Sequence, residues 1–147
     1  MNVPLIHPKL YLGNLQDAKR WRDATVCIAG TETLKEARPT YGVYMEDRVD
    51  IDPVVFARAM RAAAACIREA LMIYPRVLVH CYAGINRSVS ALVAYTSRYG
   101  PKRCLVRAVG CLRTPRDTIE YLRMMNGTRR GVATMTNPRF VSLLTLE

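Results

Sequence analysis

The segment Val77-Leu78-Val79-His80-Cys81-Tyr82-Ala83-Gly84-Ile85-Asn86-Arg87-Ser88 constrains this chain more than any other. Three consecutive branched apolar residues form a short run of the kind buried in the middle of a sheet. A loop containing Gly84 follows, and then a stretch that reads as the start of a helix. A strand leading through a tight loop into a helix N-terminus is a ready site for an anion. The loop can turn its backbone N–H groups inward, and the helix end adds partial positive charge. Cys81, Arg87 and Ser88 fall at this place. The guanidinium of Arg87 offers a planar fork for two phosphate oxygens. A thiol in such a field is expected to be largely thiolate, the form that acts as nucleophile.

The pattern His-Cys, five residues, Arg-Ser resembles the signature of the cysteine-dependent protein tyrosine phosphatases. In the version His80 to Ser88 it is similar to the dual-specificity branch, and to its poxviral members most of all, a parapoxvirus protein among them. The resemblance extends over Leu10–Ala18, Val49–Tyr99 and the terminal Asn137-Pro138-Arg139-Phe140. It implies an α/β fold with a central, mostly parallel sheet flanked by helices. It also implies a hydrolase of phosphotyrosine and phosphoserine/phosphothreonine that works through a cysteinyl-phosphate intermediate. Cys81 is the expected nucleophile and Arg87 the clamp on the equatorial oxygens. The N–H groups of Tyr82, Ala83, Gly84, Ile85, Asn86 and Arg87 line the phosphate cradle. Ser88 has two readings: a helix N-cap, or a hydroxyl that stabilises the thiolate as it leaves. His80 is expected to order the loop rather than act as a base. No metal or other cofactor is called for.

The leaving oxygen needs a proton donor. Glu46, Asp47, Asp50 and Asp52 precede the first long helix. Asp52 has a structural task as its cap, and Glu46 and Asp47 are expected to be solvated. Asp50 follows Val49 in a loop placed to fold over the pocket. It lies 31 positions before Cys81, about the interval found in the poxviral enzymes, so the resemblance assigns it the role of general acid.

The rest of the chain supports one domain, 1–147. Strands are expected at Leu10–Leu12, before a turn at Gly13-Asn14, then at Thr25–Ala29 and near Gly42–Met45. Asp52 and Pro53 open a helix in which Phe56, Met60, Ala63, Ile67 and Leu71 share one face. Further helices are expected at Ser88–Tyr99, Lys102–Leu112, Thr118–Met125 and after Asn137-Pro138, with a turn at Asn126-Gly127. Trp21 reads as an anchor in or near the core. Strands alternating with helices fit the α/β class.

One departure from the family concerns an Arg-x-x-Arg pair that its members carry just before the Asn-Pro helix. Here Arg113-Thr114-Pro115-Arg116 is the candidate, which leaves 117–136 as an atypical segment, inserted or rearranged. Residues 117–147 are also rich in apolar side chains, among them Ile119, Tyr121, Leu122, Met125 and Phe140. With a hinge at Asn126-Gly127, they suggest exchange of a terminal helix and a homodimer.

The formal net charge is +10. Residues 89–147 hold 10 basic and 3 acidic side chains, against 12 and 9 in residues 1–88, so the second half supplies most of a field that attracts anions. The expected partners are phosphorylated proteins, with phosphoinositides as further substrates; no DNA is expected. Other Cys-x5-Arg enzymes act on phosphoinositides or RNA 5′-triphosphates. Tyr82–Asn86 contains no Lys or Arg, which argues against lipid headgroups, and aromatic residues are not interleaved with the basic ones as RNA stacking requires. A phosphopeptide-binding module is the non-enzymatic alternative. Five cysteines without metal-type pairing, no secretory leader and no run near ~18 apolar residues point to the cytoplasm, of the host cell for a viral protein, or to packaging in a virion.

Overall fold

The computed structural model describes residues 1–100, 112 and 114–146. Its strands are β1 (Leu10–Gly13), β2 (Ala24–Ala29), β3 (Tyr41–Tyr44) and β4 (Val77–His80). They form one sheet in the order β1-β4-β2-β3, every neighbouring pair parallel. The helices are α1 (Leu15–Arg20), α2 (Thr31–Ala37), α3 (Pro53–Ile73), α4 (Arg87–Tyr99), α5 (Pro115–Arg130) and α6 (Pro138–Leu144). This is the α/β architecture expected from the alternation of elements. β4 is paired on both edges and every residue in it is buried, as its unbroken apolar run requires. Its carboxyl end, where an α/β sheet presents ligands, therefore lies in the middle of the molecule.

Local signals account for the long helices. Asp52 caps α3 by accepting from the N–H groups of Val54 and Val55, with Pro53 in the first turn. Phe56, Met60, Ala63, Ile67 and Leu71 are all buried. α4 ends where the Gly100 N–H donates to Thr96 O. Asn137 caps α6 through the N–H groups of Arg139 and Phe140. Trp21 is half-buried, 5.0 Å from the Tyr11 ring, and its Nε1 donates to Ala24 O. The expected helix Lys102–Leu112 lies outside the described residues except for Leu112, as do Cys104, Cys111 and Arg113. No helix among the described residues is long and apolar enough to cross a membrane.

Two expected turns are corrected. The turn at Gly13-Asn14 is instead the direct passage from β1 into a helix. Asn14 is the N-cap of α1, in a capping box where its side chain accepts from the Asp17 N–H and Asp17 accepts from the Asn14 N–H. Asn126-Gly127 is no hinge. It lies inside α5, which runs on to Gly131, a left-handed C-cap at φ 65°. Burial of Asn126 and its bonds to Thr134 and Gly84 outweigh the local turn preference of the pair. Ile119, Tyr121, Leu122, Met125, Met135 and Phe140 are buried in the chain's own core, so the apolar excess that suggested a dimer has an internal use.

Candidate active site

β4 ends at His80, and the chain turns through 81–86 into α4, whose N-cap is Asn86. Cys81 is 2% exposed. Its sulfur accepts from the Gly84 N–H at 3.2 Å and lies 3.2 Å from Ser88 Oγ. Gly84 makes this possible by adopting φ 75°, a conformation that costs other residues energy. Ser88 is fully buried inside α4. Its reading as an N-cap is therefore corrected, while its hydroxyl sits against sulfur.

Arg87 opens α4. Its Nη1 donates to Met45 O at 3.0 Å, which pins the guanidinium to the end of β3. Its Nε is shut off from solvent and has no hydrogen-bond partner among the described residues. A buried guanidinium donor without a partner costs free energy unless a ligand completes it. His80 is fully buried, with Nδ1 3.2 Å from Cys81 O. Burial lowers its pKa, opposed by that backbone bond, so the imidazole is held neutral. Cys27 on β2 is in register with His80, the residue before Cys81. Burial, with the nearby Cys81, pushes its thiol up to about 12, so it stays protonated.

The loop is also held from outside. Tyr82 O accepts from the Leu15 N–H at 3.0 Å, Gly84 O from the Asn126 amide at 3.4 Å, and Ile85 O from the Met135 N–H at 2.8 Å. Met135 has a positive φ of 56°. Arg123 holds it there by donating from Nε to Thr134 O and from Nη2 to Met135 O. Residues 123–135, the greater part of the segment 117–136 that looked atypical, thus form the loop's buttress.

The carboxylates divide clearly. Asp50 is exposed and bound by Arg48 at 2.8 and 3.0 Å, and that guanidinium lowers its pKa. Asp47, expected to be merely solvated, is bound at both oxygens. Oδ2 accepts from the Asn86 amide at 3.0 Å and Oδ1 from the Asn137 amide at 2.7 Å. Asn137 N–H in turn donates to Asn86 Oδ1 at 3.0 Å. Arg116 lies on the exposed first turn of α5, away from these contacts. The arginines that reach the loop and its buttress are Arg123 and Arg130. Neither was singled out in the sequence, where nothing but helical spacing linked them.

No protein-family model matches the chain, and no curated protein does. Solved structures do. Human DUSP28 aligns at 20% identity over 93% of this chain and 89% of its own, with a TM-score of 0.57. DUSP15 aligns at 23% identity over 96% and 83%, with a TM-score of 0.59. The fold is that of the dual-specificity phosphatases. Orf virus OH1, described as a tyrosine phosphatase with distinct structural features and triple substrate specificity, aligns at 20% identity over 99% and 87%, with a TM-score of 0.52.

Proposed function

We propose that the protein is a cysteine-dependent phosphatase of phosphorylated proteins, acting on phosphotyrosine and on phosphoserine/phosphothreonine. One observation carries this reading. Cys81 sulfur sits between a loop N–H and the Ser88 hydroxyl, beside an Arg87 whose buried Nε awaits an acceptor. The dual-specificity phosphatase fold supports it.

In the proposed reaction the Cys81 thiolate attacks phosphorus while Arg87 and the loop amides hold the equatorial oxygens. The P–O bond to the substrate breaks, and a carboxylic acid gives its proton to the departing oxygen. A water, losing a proton to the resulting carboxylate, then attacks the cysteinyl phosphate. The S–P bond breaks, inorganic phosphate leaves, and Ser88 Oγ donates to the sulfur as it recovers its charge. For the acid we propose Asp47 in place of Asp50. Asp47 is one hydrogen bond from the residue preceding Arg87, whereas Asp50 is neutralised by Arg48 on the surface. A reducing compartment such as the cytoplasm suits a site that depends on a free thiol.

The test is a panel of phosphotyrosine, phosphothreonine, phosphoinositide and RNA 5′-triphosphate substrates, each with the native chain and with Cys81→Ser. Release of phosphate from both phosphopeptides, abolished in the variant, supports the proposal. Release from the lipid or RNA arm alone overturns the substrate class, and release unaffected by Cys81→Ser overturns the mechanism.

A further inference from the structure

Asn126 and Arg130 stand one turn apart on α5, and both reach Gly84 of the phosphate loop. The Asn126 amide donates to Gly84 O. A Cβ placed on Gly84 would lie 2.6 Å from Gly13 O and 3.1 Å from Arg130 Nη1. Gly84 is therefore wedged between the end of β1 and a guanidinium. The Arg130 side chain is 19% exposed. Its Nη1 is shut off from solvent and has no hydrogen-bond partner among the described residues.

The neighbouring carboxylate is a weak partner. Arg130 Nη2 lies 3.9 Å from Asp17 Oδ2, at the outer limit of an ion pair. That same oxygen accepts from the Asn14 N–H at 2.9 Å, and Asp17 Oδ1 lies 3.6 Å from Arg20. Asp17 is shared three ways, so it does not cancel the charge of Arg130. A cation kept this dry without a close counter-ion is costly, and its effect on nearby anions is large for the same reason. The N–H of the same Gly84 donates to the Cys81 sulfur on the inner side of the loop.

We propose that Arg130 is a positioning residue of the phosphate loop. From the outer side it holds Gly84 against Gly13 and adds its charge to the field that binds a phosphate dianion, without touching the substrate. This deepens the phosphatase reading and rests on it.

The experiment measures the dissociation constant of inorganic phosphate by calorimetry on the full chain, with turnover of an aryl phosphate and thermal unfolding in parallel. Arg130→Gln should weaken phosphate binding by about 5- to 30-fold. Arg130→Lys keeps the charge but loses the fork, and should weaken it by only about two- to fivefold. Asp17→Asn keeps an acceptor for the α1 cap and removes the competing charge, so it should bind phosphate as tightly as the native chain or more tightly. Phosphate affinity of Arg130→Gln within twofold of native overturns the role. So does an equal loss in Asp17→Asn and Arg130→Lys, which would mark a structural ion pair. If Arg130→Gln does not fold, these last two variants decide on the same terms. A native chain that binds phosphate but does not turn over aryl phosphate sinks the phosphatase reading alone. Turnover with unchanged phosphate affinity in Arg130→Gln sinks only the role of Arg130.

Discussion

The amide of Asn137 donates to the Asp47 carboxylate at 2.7 Å, across 90 positions of sequence. The same side chain donates to Arg48 O and caps α6 with its oxygen, while its backbone N–H holds Asn86. One residue thus ties the loop after β3, the phosphate loop and the last helix into a unit.

Asn137→Ala removes the α6 cap and two amide bonds at once. It should cost about 2–4 kcal/mol, summing a lost cap, a lost bond to the Asp47 carboxylate and a lost bond to Arg48 O. Urea unfolding with an unchanged slope checks this. Asn137→Asp retains the cap but sets a second carboxylate against Asp47, so it should recover only part of the loss.

Asp47→Asn should slow hydrolysis of substrates with poor leaving groups by roughly 10²–10⁴, and an activated aryl phosphate much less. Asp50→Asn should stay within a few-fold of native on both. Steady-state rates on the two substrate types separate the carboxylates, and the opposite pattern would return the acid role to Asp50.

Cys81→Ser should abolish turnover while still binding phosphate. Ser88→Ala should form the cysteinyl phosphate but release it more slowly, by on the order of 10², since a hydrogen bond to the departing sulfur is lost. Rapid-quench kinetics should then show a burst that the native chain lacks.

Gly84→Ala forces a side chain into the left-handed region and against Gly13 O at 2.6 Å. The backbone conformation alone costs about 1–3 kcal/mol, and the contact adds to it. Thermal unfolding should fall and phosphate binding should weaken together.

His80 titrates lower in the folded chain than its ordinary value of 6.5 because it is buried. Below that pH the unfolded chain takes up a proton that the folded chain resists. Stability is therefore fully present above about pH 6.5 and declines as pH falls through this value toward the folded pKa. Urea midpoints between pH 7.5 and 5 should fall for the native chain and fall less for His80→Gln. Equal slopes would show that other groups carry the dependence.

The α/β class, the buried strand β4, the cap at Asp52, the helix after Asn137-Pro138 and the loop from Cys81 to Ser88 were legible in the sequence. Each depends on residues within a few positions of one another: an apolar run, a cap beside a proline, a glycine between a thiol and an arginine. Tertiary structure alone decided the rest. Gly13-Asn14 and Asn126-Gly127 have the composition of turns, yet one opens a helix and the other lies inside one, because a capping box and a buried amide outweigh local preference. Residues 117–136 looked like an excess and instead cover the core and support the phosphate loop. The interval to Cys81 pointed to Asp50 as the acid, and the proposal of Asp47 in its place rests on its partners. These come from positions 86 and 137, which only folding brings to it.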